Sequence, residues 1–150
     1  MRAIIQRVSR ATLSVEYTPK CKIGQGLVIL LGVEHLDTEE DADWLAKKIA
    51  NLRIFYNEDG VKDLSVKEVE GEILVVSQFT LHARTKKGNR PAYIDAAPPA
   101  ISKPLYEYFI KKIGEEIPSE IQTGEFGTYM QIDMINDGPV TIFIDTKDKR

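Results

Sequence analysis

Leu27-Val28-Ile29-Leu30-Leu31, closed off by Gly24 and Gly26 before it and Gly32 after it, is an apolar run with no polar face. A strand of this kind has no side to offer water, so the chain must place packed layers above and below it. The run extends at most to Val33, far too short to cross a bilayer, and no membrane partner is expected. The layers come from the flanking segments. Ala11, Leu13, Val15 and Tyr17 alternate with Thr12, Ser14 and Glu16, the pattern of a half-buried strand, and Met1 to Ser9 reads as the strand before it. A first helix is expected from Thr38, whose hydroxyl can cap it, with Glu39, Glu40 and Asp41 at the positive end of its dipole. Its buried stripe is Ala42, Leu45, Ile49 and Leu52.

Asn57-Glu58-Asp59-Gly60 and Glu70-Gly71 read as turns. Ile73-Leu74-Val75-Val76 forms the apolar body of a strand between Glu72 and Leu81. From there to Pro99 the chain is basic and irregular, the kind of long loop that is usually functional. A second helix is expected near Ser102, with Pro104 in its first turn and Leu105, Phe109 and Ile113 facing inward. Tyr129 to Ile135 and Val140 to Asp145 read as strands paired across a turn at Asn136-Asp137-Gly138-Pro139. The expected architecture is α/β: mixed, largely antiparallel sheets forming a sandwich or open barrel with two main helices, in a single domain over residues 1–150.

A net charge of −3 argues against a protein that coats long duplexes, because phosphate neutralisation dominates that kind of binding. The basic residues are local: Arg84, Lys86, Lys87 and Arg90 in one stretch, and Lys147, Lys149 and Arg150 in another. Solvated loop charges explain both; a nucleic-acid partner would be met over a limited surface, such as one end of an RNA. Cys21 is the sole cysteine, which excludes an intramolecular disulfide and fits a cytoplasmic setting. With His35 and His82 far apart, no zinc spacing exists, and neither metal nor cofactor is implied.

Two segments carry the chemistry. In Val76-Ser77-Gln78-Phe79-Thr80-Leu81 an apolar strand abruptly offers a hydroxyl, a carboxamide and another hydroxyl; alternation puts Gln78 and Thr80 on one face, Ser77 and Phe79 on the other. The plain alternative is a strand end reaching water. In Asn136-Asp137-Gly138-Pro139-Val140-Thr141 the Asp-Gly pair signals a hairpin, but Pro139 removes a ladder donor at the start of the returning strand and allows a cis bond.

Ser77-Gln78-Phe79-Thr80 and Asn136-Asp137-Gly138-Pro139-Val140-Thr141 together resemble the two signature motifs of the D-aminoacyl-tRNA deacylase family. The resemblance spans nearly the whole chain, including Ile5-Gln6-Arg7-Val8, Gly32-Val33, Asn89-Arg90-Pro91 and Gln122-Thr123-Gly124-Glu125-Phe126 with Met130. It implies an enzyme that hydrolyses the ester between a D-amino acid and the 3′-terminal adenosine of tRNA and also clears glycine from mischarged tRNA. It implies a homodimer in which Gly138-Pro139, in cis, enters the partner's site and holds the substrate ammonium through main-chain oxygens. Rejection of L-amino acids is then a clash with that backbone. The resemblance assigns Gln78, Phe79 and Thr80 to catalysis, with Ser77, Met130, Arg7, Gly138 and Pro139 binding substrate or orienting the motif.

Thr80 matches a proposed nucleophile, yet no evident base accompanies it; His82 would share its face only if the strand continued. RNA-assisted hydrolysis, with the ribose 2′-hydroxyl activating water and backbone N–H groups near Phe79 and Thr80 stabilising the oxyanion, fits better. Two other readings stand beside this one: editing of L-seryl-tRNA, and a nucleic-acid-binding module without catalysis.

Overall fold

The computed structural model describes residues 1–150. Its organising element is β1 (Arg2–Val15), one strand where the sequence pattern suggested two. Along its entire length β1 pairs antiparallel with β8 (Met130–Asp145). Its first half also pairs with β3 (Gly26–Gly32) and its second half with β2 (Thr18–Ile23), both antiparallel. β6 (Glu72–Ser77) lies parallel to β3, and the short β7 (Gln122–Thr123) parallel to β6. Lys20 Nζ in β2 donates to the carbonyls of Thr123 and Gly124, each at 2.8 Å, which draws β2 to β7 and nearly closes the sheet into a barrel. β4 (Phe55–Tyr56) and β5 (Lys62–Leu64) form a separate small hairpin around Asn57–Gly60.

The two parallel pairs need crossovers, and both helices supply them: α1 (Glu39–Ala50) between β3 and β6, α2 (Pro99–Glu116) between β6 and β7. The apolar run of β3 is buried on both faces, as its sequence requires. Leu27, Ile29 and Leu31 join Ile73 and Val75 under α1 and α2, against Leu45, Ile49, Phe109 and Ile113. Val28 on the other face joins Leu74, Val76, Val8 and Leu13 in a second core inside the curled sheet. Gly26 has no room for a side chain, since a Cβ there would sit 1.8 Å from Glu72 O across the β3–β6 ladder. No helix is long and apolar enough to cross a membrane.

α1 begins where Thr38 predicts, and Asp41 completes a capping box with it: the Asp41 carboxylate accepts from Thr38 N–H at 2.9 Å. α2 starts at Pro99 rather than near Ser102, since Pro99 is a natural first helical residue; Pro104 therefore lies beyond the first turn. Ser102, Tyr106, Phe109 and Ile113 are its buried residues, Leu105 only partly so.

Asp41 also ties the C-terminal segment down through Lys147 Nζ at 2.9 Å, beside the buried pair formed by the Met1 ammonium and Asp37. Burial works to raise the Asp41 carboxyl, yet hydrogen bonds from Lys147, Thr146 and the Thr38 backbone outweigh it and hold it well below the usual carboxylate range. Asp145, bonded to Arg2 and to the Lys147 backbone, is lowered too, against the same opposing burial. A depressed folded-state value gives stability that is present above the unfolded carboxylate value and is lost as pH falls through the folded one. Thermal melts should therefore show Tm dropping below about pH 4, and Asp41→Asn should lower Tm at neutral pH and flatten that acid decline.

Candidate active site

β6 delivers Ser77 at its C-terminal end, and the strand stops there. Gln78 N–H still donates to Leu31 O at 2.7 Å, after which Phe79–His82 wind into a single 3₁₀ turn. The expected continuation of the strand to Leu81 is thus wrong. The alternation that would have separated Ser77 and Phe79 from Gln78 is lost with it: all three line the same two cavities. Gln78 and Thr80 do meet, Gln78 Nε2 donating to Thr80 Oγ1 at 2.5 Å.

Within the turn the N–H groups of Phe79 and Thr80 have no acceptor, because the first donors of a helical turn have no intrahelical partner. His82 does not form a dyad with Thr80. Its ring is buried, both nitrogens lack a hydrogen-bond partner, and it packs beside Gly32.

One cavity, of about 310 Å³, lies between β3, α2 and the segment after Phe126. Its wall is mostly apolar, with Val33, Ala97, Pro99, Tyr106 and Phe126 facing Ser77–Phe79. Such a volume is at the lower end of small-molecule sites, about 300–1,000 Å³. Tyr106 closes its floor, donating to Val75 O at 3.2 Å, with burial pushing the phenol up to about 12 so that it stays a neutral donor. A second cavity of the same size opens on the other side of Phe79, toward Tyr129, Met130 and Ile132. Phe79 stands between them, 56% exposed, held edge-on by Tyr93 at 5.1 Å. Neither cavity has a carboxylate, histidine, lysine or arginine on its wall.

Asn136-Asp137-Gly138-Pro139 is not a hairpin turn. Both halves of β8 run the same way along β1, and the motif is a bulge between the pairs Val8↔Asn136 and Gln6↔Thr141. Opposite the bulge stands Arg7, whose side chain is 2% exposed rather than solvated. Its Nε donates to Asp137 O at 3.1 Å, its Nη1 to Ile54 O at 2.5 Å, and its guanidinium lies 4.9 Å from the Tyr56 ring centre. Asn136 Nδ2, with its amide turned so that both ends are satisfied, donates to Arg7 O at 3.0 Å and to Val140 O at 3.1 Å. The Gly138-Pro139 peptide is cis, and both residues project into solvent.

The structure therefore gathers Ser77, Gln78, Phe79, Thr80 and Met130 in one place and Arg7, Gly138 and Pro139 in another. Neither cavity beside Phe79 is lined by any residue of the bulge. Tyr93, Tyr106 and Tyr56 escaped the sequence reading. Tyr93, an aromatic in an otherwise polar and basic loop, was the one visible signal among them.

The family model described as D-Tyr-tRNA(Tyr) deacylase matches residues 4–145. The chain belongs to this enzyme family. It is 57% identical over 149 residues to a D-aminoacyl-tRNA deacylase of Bacteroides fragilis (strain YCH46), covering 99% of each chain. It is 53% identical over 150 residues to a D-aminoacyl-tRNA deacylase of Christiangramia forsetii, covering 100% of each. Among solved structures it is similar to one titled c-Myc DNA Unwinding Element Binding Protein, at TM-score 0.91 and 39% identity over 97% of this chain and 98% of that one. It also shares its fold with a probable eukaryotic D-amino acid tRNA deacylase, at TM-score 0.81 and 18% identity, over 95% of this chain and 97% of that one.

Proposed function

We propose that the chain hydrolyses the ester of D-aminoacyl-tRNA, releasing the D-amino acid and free tRNA, as a step of translation proofreading in the cytoplasm. The observation that carries the mechanism is the pairing of Phe79 and Thr80 N–H donors, unpartnered within their turn, with cavity walls that contain no ionisable base. An aminoacyl ester is already reactive, so orientation and one oxyanion site supply most of what its hydrolysis needs. The two N–H groups stabilise the oxyanion, each worth about 2.7–4 kcal/mol of barrier. The terminal ribose 2′-hydroxyl of the substrate supplies the activation of water that no side chain here provides. The apolar cavity between Phe79 and Phe126 suits the adenosine, and the cavity beside Met130 suits the amino acid.

The site is completed by a second copy of the chain, whose exposed Gly138-Pro139 enters beside Met130. Its main-chain oxygens hold the substrate ammonium. A D side chain then points away, an L side chain meets the Gly138-Pro139 backbone, and glycine, including glycine on mischarged tRNA-Ala, passes. Arg7 is the positioning residue of that insert.

Thr80→Ala should keep substantial single-turnover activity on D-tyrosyl-tRNA, because its N–H remains. Complete loss with folding and tRNA binding intact would restore a nucleophilic Thr80. The reading as a whole is tested by incubating the protein with D-tyrosyl-, L-tyrosyl-, L-seryl- and glycyl-tRNA. Loss of the D and glycyl esters is expected; release of L-serine would favour the editing reading instead. DNA binding without catalysis draws support from the description of one structural relative, and inertness toward all four esters would favour it.

A further inference from the structure

The two basic stretches of the sequence have different fates. In the C-terminal one Lys147 is bound to Asp41, Lys149 lies 4.5 Å from the Trp44 ring centre, and Arg150 pairs with Asp148 at 2.6 Å. The stretch after the 3₁₀ turn is built as an arm. At its base Arg84 grips Asp95 with two hydrogen bonds of 2.6 Å, and Arg84 and Ala92 exchange backbone hydrogen bonds of 2.8 and 3.0 Å. The arm turns back at Gly88, whose φ of +71° favours glycine.

Asp95 is the only acidic residue between Arg84 and Asp95, and Arg84 already neutralises it. Lys86, Lys87 and Arg90 are therefore exposed at the tip with no carboxylate near them in sequence and no ion pair to any other. Gly88 at the tip lies four positions beyond Arg84 at the base, an extended reach of at most about 13 Å. The base is fixed to the cavity between Phe79 and Phe126: Tyr93 meets Phe79 edge-to-face, Ala96 and Ala97 line the wall, and His35 Nε2–H donates to Ile94 O at 3.1 Å.

We propose that this arm grips the phosphate backbone of the tRNA acceptor stem next to the terminal nucleoside, an inference that rests on the deacylase reading above. Three unpaired cations on a clasped loop make a contact to charge alone, independent of sequence. They sit beside the cavity that takes the last nucleoside, so they meet the nucleotides preceding it. This gives a chain of net charge −3 one local RNA-binding surface, without the basic face of a duplex-coating protein. Arg84 and Asp95 are positioning residues of the arm.

The test compares kcat/KM for D-tyrosyl-tRNA with kcat/KM for the D-tyrosyl ester of adenosine, which has no phosphates. In the variant Lys86→Ala/Lys87→Ala/Arg90→Ala the ratio of the two should fall about tenfold or more, and the log–log salt slope for tRNA should be shallower by about 3. The charge-keeping variant Lys86→Arg/Lys87→Arg/Arg90→Lys should restore both. An alanine variant whose ratio and salt slope match wild type would overturn the arm's assignment and leave the deacylase reading standing. Wild-type protein that cleaves neither ester would overturn both.

Discussion

Gly138→Ala should abolish most deacylation, lowering kcat/KM on D-tyrosyl-tRNA by about 100-fold or more, the typical effect of a displacement near 1 Å at a reacting centre. Gly138 has φ +126°, a conformation L residues rarely adopt, and a Cβ there would lie 2.9 Å from Arg7 Nη2 and 3.0 Å from Val140 Cγ2. The guanidinium cannot simply swing aside, because Ile54 O and Asp137 O hold it in a buried position. The backbone must move instead, and with it the carbonyls proposed to hold the substrate ammonium. Since Gly138 itself is exposed, the fold should survive, with a cost of about 1–3 kcal/mol. Far-UV circular dichroism and a melt would establish that, and single-turnover deacylation would then read the site. Wild-type rates from a folded Gly138→Ala protein would remove the insert from the mechanism.

Arg7→Met should show the largest combined loss. The substitution keeps volume but removes every donor, leaving Ile54 O unpaired inside the protein and Asp137 O without its anchor. Each buried acceptor left unsatisfied costs about 1–3 kcal/mol. A total near 3 kcal/mol corresponds to a Tm drop of about 10 °C for a domain of this size. The Asp137 carboxylate, 56% exposed and 3.7 Å away, adds little beyond this. Activity should fall further than stability explains, because the bulge that Arg7 shapes presents Gly138-Pro139. Arg7→Lys, with one point charge in place of a fork, should recover part of the Tm and little of the activity. If Arg7→Met left both unchanged, the anchoring role would be wrong.

These two residues also mark where the sequence was readable and where it was not. The doubly buried β3 was legible because its composition permits no other environment, and α1 because acidic residues follow a capping threonine. The Asp-Gly signal at Asp137-Gly138 points to a hairpin, but a bulge within one strand uses the same residues, and only the common partner β1 distinguishes them. Burial of Arg7 was invisible because its acceptors lie 47 and 130 residues away. At Ser77–Thr80 the residues were found but their arrangement was not: alternation holds only while a strand continues, and a 3₁₀ turn replaces it after Ser77. The motif residues were legible as a set through family resemblance, whereas Tyr93 and Tyr106 act through packing that no local pattern encodes.

The central claim, a site built from one chain's cavities and another chain's Gly138-Pro139, is tested most directly by mixing two inactive variants. Gly138→Val carries a damaged insert with intact cavities; Ser77→Tyr fills the cavities and leaves the insert intact. Each alone should be inactive on D-tyrosyl-tRNA. After unfolding, mixing in equal amounts and refolding, half the dimers pair one chain of each kind and hold one native site, so activity should return to about a quarter of wild type. No recovery from a mixture shown to contain mixed dimers would mean that each chain builds its site alone, and would contradict the account.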